Sequence, residues 1–129
     1  MDWTRSRSEK LYEQACTIMP GGVNSPVRSF KGMGTAPAFI KSGRGAYLID
    51  EDGHDYVDYI CSWGPLLHGH CHPSIRSALE NQLSRGWTYG APTEAEIHLA
   101  ELVRNMMPCM QMMRMVNSGT EATMSAIRL

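Results

Sequence analysis

No run of apolar residues in this sequence approaches the roughly 18 that a helix needs to cross a bilayer, so no membrane span is expected. A secretory pattern is missing too, because Met1-Asp2-Trp3-Thr4-Arg5 is polar and charged with no apolar stretch behind it. Neither sign of charge is in excess. Twelve basic and thirteen acidic residues leave a formal net charge of −1. Without a concentrated positive face, neither nucleic acid nor a membrane surface is an expected partner. Cysteine is sparse and irregular. Cys16, Cys61, Cys71 and Cys109 form no C-x-x-C pair, which argues against a disulfide-stapled domain and against paired zinc-ligand spacing. All four are read as free thiols of a reducing cytoplasm, most of them buried. Internal repeats and low-complexity tracts are absent as well. What remains is a 129-residue chain, 43% hydrophobic, suited to one soluble globular unit.

Helical spacing of Leu11, Tyr12, Ala15, Ile18 and Met19 predicts a first helix over about Ser6 to Met19. Ser6 and Glu9 stand as a capping box at its start, and Pro20-Gly21-Gly22 stops it. Residues 21–37, with Gly21, Gly22, Gly32, Gly34, Pro26 and Pro37, read as a long irregular loop of the kind that usually serves a site. Three short strands follow at about 38–41, 46–50 and 56–60, with Asp52-Gly53 as a tight turn, and predict a small antiparallel sheet. Residues 62–73 are irregular. A helix is expected over about Pro73 to Arg85, carrying Ile75, Ala78, Leu79 and Leu83 on one face. A second is expected from a Thr93/Glu96 capping box to about Met107, where Pro108 ends it. Gln111 to Val116 reads as a short apolar strand, and Ser118 opens another helix. Strand, turn and helix are the start of a parallel crossover whose second strand does not follow, and Leu129 ends the sequence on an apolar residue. The sequence is therefore expected to be truncated, with an exposed strand edge and helix face that favour aggregation or partial order.

The segment Met115-Val116-Asn117-Ser118-Gly119-Thr120-Glu121-Ala122 places a small, hydroxyl-bearing turn at a helix start. The first N–H groups of a helix have no partner inside it, and the helix dipole adds partial positive charge there. A phosphate suits such an end. Gly119 lets it approach, and Ser118 and Thr120 can donate further bonds. Ser118 with Glu121 is equally a capping box, and a capped helix needs no ligand.

His68, His70 and His72 alternate, as ligands on one strand would, but glycine and proline around them argue against a regular strand, and no acidic or cysteine partner stands at ligand spacing. Met106, Met107, Met110, Met112, Met113 and Met115 are soft enough for copper(I), yet they straddle a helix end, a turn and a strand. Core filling is the simpler reading. Glu94, Glu96 and Glu101 read as helix-surface charges.

Several segments together resemble the glutamate-1-semialdehyde aminomutase family, within the class III aminotransferase group of fold type I pyridoxal-phosphate enzymes. They are Pro20-Gly21-Gly22-Val23-Asn24-Ser25-Pro26-Val27-Arg28, Ser62-Trp63-Gly64-Pro65, Gly69-His70-Cys71-His72-Pro73, Tyr89-Gly90-Ala91-Pro92-Thr93-Glu94 and the run from Val116 to Leu129. The glycine-histidine stretch belongs to the wider group, whereas the first and last segments point to the aminomutases. The resemblance implies an α/β chain, the amino-terminal part of a fold type I transferase. Residues 1–60 would form the helix, substrate loop and small sheet, and 61–129 the beginning of the large cofactor-binding domain.

By the same resemblance, Ser118, Gly119 and Thr120 hold the phosphate of pyridoxal or pyridoxamine phosphate, and Arg28 binds the substrate carboxylate with its planar, permanently charged fork. Ser25 is a polar substrate contact and Trp63 an aromatic wall. The implied reaction moves an amino group between adjacent carbons of glutamate-1-semialdehyde, giving 5-aminolevulinate, a tetrapyrrole precursor, in a cytoplasmic homodimer. The lysine that carries the cofactor in that family has no counterpart here. Lys10, Lys31 and Lys41 are the lysines present and none stands in a matching context, so no catalytic residue is assigned and the 129 residues alone are expected to be inactive. Two other readings stay open: another class III aminotransferase, and a phosphate-binding module without chemistry.

Overall fold

Helix α1, Ser6–Ile18, buries Ala15 of its expected face and also Ser8, while Ile18 of that face is exposed, in a computed structural model that describes residues 3–129. The Ser6/Glu9 capping box does not form. The helix starts with Arg5 in the N-cap position, which places Ser6 inside the first turn, and no side chain of the helix itself caps it. Asp52 does so from 44 residues away. Its Oδ1 accepts from the Arg7 N–H at 2.7 Å, and its Oδ2 accepts from the Ser8 N–H and Oγ at 2.9 and 2.7 Å. The Ser8 hydroxyl in turn accepts from the Phe39 N–H at 3.2 Å. A carboxylate thus meets both the orphan donors and the positive end of the helix dipole.

The sheet is antiparallel in the order β1-β2-β3, with β1 at Ile40–Arg44, β2 at Tyr47–Asp50 and β3 at Asp55–Val57. Its bounds shift by a few residues from those expected. Arg44 pairs with Tyr47 across a two-residue turn, and the ladder slips between Ile40 and Ser42. Leu48 pairs with Tyr56 in the second ladder. Asp50 organises the turn between β2 and β3. It is fully buried, and its Oδ1 accepts from the Asp52 and His54 N–H groups at 2.9 and 2.8 Å. Its Oδ2 accepts from the Tyr56 hydroxyl at 2.7 Å and lies 3.0 Å from His54 Nδ1. Trp3 stacks on the His54 ring with centroids 4.1 Å apart.

Three further helices follow: α2 at Pro73–Leu83, α3 at Glu94–Met106 and α4 at Gly119–Ile127. The second capping box fails as well. Thr93 is the N-cap of α3, but its side chain makes no cap bond. Residues 111–116 form no strand. A strand exists only with a neighbour to bond, and among the described residues the one sheet is β1-β2-β3. The described residues group into two compact units, one ending at Arg85 and the other Gly86–Leu129.

Apolar burial is slight. Ala15 is the one hydrophobic residue buried among those described, while Ser8 and Asp50 are buried polar groups. The cysteines are free, but Cys16, Cys71 and Cys109 are exposed and Cys61 is half-buried, contrary to the expectation that most are buried. On α2, Ile75, Leu79 and Leu83 are exposed, and on α3, Ile97 and Leu102 are exposed.

Candidate functional site

The loop after α1 is folded back on it by close contact. Gly22 is buried with φ +69°, and a Cβ there would lie 2.7 Å from Tyr12 Cε2 and 2.9 Å from Cys16 Sγ. Glycine is therefore required at this position. Pro26–Arg28 then makes one 3-10 turn, closed by the Arg28 N–H donating to Ser25 O at 2.9 Å. Arg28 is exposed, and its guanidinium has no hydrogen-bond or ion-pair partner among the described residues.

Trp63 is positioned by an unusual backbone. Cys61, Ser62 and Trp63 all adopt positive φ, at 49°, 52° and 67°. Non-glycine residues held there cost on the order of 1–3 kcal/mol each and persist only where surroundings enforce them. Asp58 supplies that enforcement: its Oδ1 accepts from the Ile60 and Cys61 N–H groups at 2.9 and 3.0 Å, and its Oδ2 lies 2.7 Å from His70 Nε2. The His70 bond, followed by the two backbone bonds, lowers the Asp58 carboxyl below its ordinary value. The histidines separate accordingly. His70 is clamped between Asp58 and Gly43, where a Cβ would come 2.7 Å from its ring. His68 and His72 lie against each other with centroids 5.3 Å apart. Among the described residues no three histidine, cysteine or acidic side chains gather as metal ligands would.

Arg28 and Trp63 both line a cavity of about 890 Å3, walled by Met19, Val27, Phe39, Leu48 and other apolar side chains. Ser25 is not part of its wall, although Asn24 is. Sequence reasoning missed Arg5, Phe39 and Tyr56, which also line it. No spacing or motif marked Arg5, Phe39 or Tyr56 as part of a site. Burial first, then the hydrogen bond to Asp50, pushes the Tyr56 phenol up to about 12. It is a donor, not a base, at neutral pH.

In the other unit, Ser118 caps α4. Its Oγ accepts from the Glu121 N–H at 3.2 Å, and Glu121 Oε2 accepts from the Asn117 N–H at 2.7 Å. This third capping arrangement forms, with the glutamate reaching one residue earlier than in a standard box. The N–H groups of Gly119 and Thr120 keep no partner among the described residues. A Cβ on Gly119 would meet nothing within 4 Å. Packing within the described residues therefore does not call for glycine there. Two free donors, the Thr120 hydroxyl and the helix dipole make a donor set that fits a phosphate.

A sequence profile of the class III aminotransferases matches residues 30–129. The chain belongs to the class III aminotransferase family. A glutamate-1-semialdehyde 2,1-aminomutase from Legionella pneumophila (strain Philadelphia 1) is 61% identical to this class III chain over 124 residues, which are 96% of this chain and 29% of that protein. An omega-transaminase from Sphaerobacter thermophilus superposes with a TM-score of 0.85 at 39% identity, over 94% of this chain and 27% of that one. A glutamate-1-semialdehyde aminomutase from Pseudomonas aeruginosa PAO1, solved in complex with PMP, gives a TM-score of 0.68 at 26% identity, over 78% of this chain and 22% of that one. This class III chain thus spans 29% of the length of the Legionella relative.

Proposed function

We propose that this chain is the amino-terminal segment of a glutamate-1-semialdehyde 2,1-aminomutase, which converts glutamate-1-semialdehyde to 5-aminolevulinate for tetrapyrrole synthesis. The observation that carries this reading is Arg28 in the wall of the same apolar cavity as Trp63, in a chain so similar to the Legionella aminomutase. An unpaired guanidinium beside apolar walls suits a short aliphatic substrate that ends in a carboxylate, because the fork can bond both carboxylate oxygens where water competes little. Trp63 forms an aromatic side of that cavity, whereas Ser25, at the start of the Arg28 turn, lies outside its wall, so a polar contact from Ser25 to substrate rests on the family resemblance alone.

Ser118, Gly119 and Thr120 would hold the phosphate of pyridoxal or pyridoxamine phosphate. Bound there, the cofactor supplies the electron sink that amino-group transfer requires. The residues themselves do simpler things: the Gly119 and Thr120 N–H groups and the Thr120 hydroxyl bind and orient, and Ser118 holds the helix end in shape. No lysine, and no other group able to carry the proton transfers, is assigned among these residues. Catalysis therefore belongs to the complete enzyme, and the 129 residues alone do not turn over substrate. The complete enzyme is proposed to be a cytoplasmic homodimer, as the family resemblance implies. Residues 1–60 and 61–129 are proposed as its small and large domain portions.

A second reading, an aminotransferase acting on another amino donor, is favoured by the higher TM-score to the Sphaerobacter transaminase. An exchange experiment separates the two. A chimera in which this chain replaces the matching segment of the Legionella enzyme should form 5-aminolevulinate within about tenfold of the parent's kcat/KM. A soluble chimera that binds PMP but forms none would refute the reading.

A further inference from the structure

Tyr12, on α1, faces the loop that carries Arg28, and it touches both arms of that loop. Its ring is what Gly22 packs against on the incoming arm. On the outgoing arm its hydroxyl donates to Ser29 O at 3.2 Å, one residue past Arg28. Between these contacts the chain makes the single turn that ends in Arg28. That turn is closed by the Arg28 N–H on Ser25 O at 2.9 Å, and by the Ser29 N–H and Oγ on Pro26 O at 3.1 and 2.9 Å. The turn has few other restraints. Its side chains Pro26, Val27 and Arg28 are exposed, and the next anchor downstream is the Arg5 Nη2 donating to Thr35 Oγ1 at 2.7 Å. Tyr12 itself does not line the cavity. Burial first, and then Cys16, raises its phenol above the ordinary value, so the hydroxyl keeps the proton it donates.

The Arg28 guanidinium has no partner of its own among the described residues, so the fold fixes its reach into the cavity only through the backbone beneath it. Bidentate recognition of a carboxylate is sensitive to displacements on the order of 1 Å. We propose that Tyr12 is a positioning residue for carboxylate recognition: through the Ser29 carbonyl and the contact with Gly22, it fixes the turn from which Arg28 meets the substrate. The inference rests on the reading of Arg28 given above and adds a residue that touches neither substrate nor cofactor.

Tyr12→Phe keeps the ring under Gly22 and removes only the donor. In the Legionella chimera this change should raise KM for glutamate-1-semialdehyde about three- to tenfold, the usual effect of losing one hydrogen bond, while kcat stays within about twofold. In an Arg28→Ala background it should add nothing, because the two residues act on one contact. An unchanged KM, a fall in kcat without a change in KM, or full additivity with Arg28→Ala would each overturn the proposal. A second measurement needs no substrate. In the 129-residue chain, Tyr12→Phe should lower the 1H–15N heteronuclear NOE at Val27, Arg28 and Ser29 while leaving α1 unchanged, and equal values in both proteins would overturn it. If the chimera with Tyr12 intact forms no 5-aminolevulinate, the functional reading fails, and the NMR comparison still decides the positioning claim.

Discussion

The Tyr56 hydroxyl donates to Asp50 Oδ2 at 2.7 Å, and the two groups are displaced in opposite directions. Burial would raise the Asp50 carboxyl, but bonds from the His54 N–H, the Tyr56 hydroxyl, the His54 ring and the Asp52 N–H outweigh it and hold it at about 2. A carboxyl with a depressed folded value stabilises the fold above its ordinary value near 3.8, and that contribution is lost as pH falls toward 2. Urea unfolding of the chain should therefore weaken between about pH 4 and 2, and Asp50→Asn should flatten that limb. Asp50→Ala, which leaves buried donors unpaired, should cost on the order of 3 kcal/mol at neutral pH.

Asp52 caps α1 with two oxygens and three bonds. Burial acts to raise its carboxyl, but bonds from the Ser8 hydroxyl and the Arg7 and Ser8 N–H groups lower it overall. Asp52→Ala should fray the first turn of α1. Amide exchange at Arg7 and Ser8 should accelerate at pH 7, with α3 and α4 unaffected.

Gly69 has φ +75°, and a Cβ there would lie 2.6 Å from Gly45 O. That oxygen is backbone and accepts from the His70 N–H at 2.8 Å, so it cannot move aside without breaking the Gly45–His70 bridge. Gly69→Ala should destabilise the first unit by roughly 2–3 kcal/mol. Gly53→Ala, at φ +87° but with open space around it, should cost less. Thermal unfolding by circular dichroism compares the two.

Gly119→Ala separates packing from ligand binding. Because a Cβ would meet nothing within 4 Å, the unfolding midpoint of the chain should stay within about 0.5 kcal/mol of the original. In the Legionella chimera the same methyl group stands where the phosphate must approach, and the Kd for PMP should rise about tenfold, a change equivalent to ~1.4 kcal/mol. Equilibrium dialysis reads it.

Local signals carried far in this sequence, and non-local ones did not. The spacing of Leu11, Tyr12, Ala15 and Ile18 marked α1 within a residue of its observed end, and Asp52-Gly53 marked the β2–β3 turn. Ser118 with Glu121 marked the start of α4. The Ser6/Glu9 box failed because its competitor, Asp52, lies 44 residues from Ser8, and no local pattern reports such a partner. Residues 111–116 have a strand's composition, but pairing depends on a neighbouring strand, which no segment can supply for itself. The cavity mixes both cases. Arg28 and Trp63 were named only through family resemblance, since neither spacing nor composition marks them. Arg5 and Tyr56 escaped notice because the wall is assembled from residues flanking α1, the loop and the sheet together.

The choice between aminomutase and transaminase is the central point, and one ratio tests it. In the Legionella chimera carrying this chain, kcat/KM would be measured for glutamate-1-semialdehyde and for a panel of other amino donors. The expected ratio favours the semialdehyde by at least about 100-fold and collapses by about tenfold or more in Arg28→Ala through KM, as follows from loss of a charge-assisted bidentate contact. A ratio near one, or one that Arg28→Ala leaves unchanged, would contradict it.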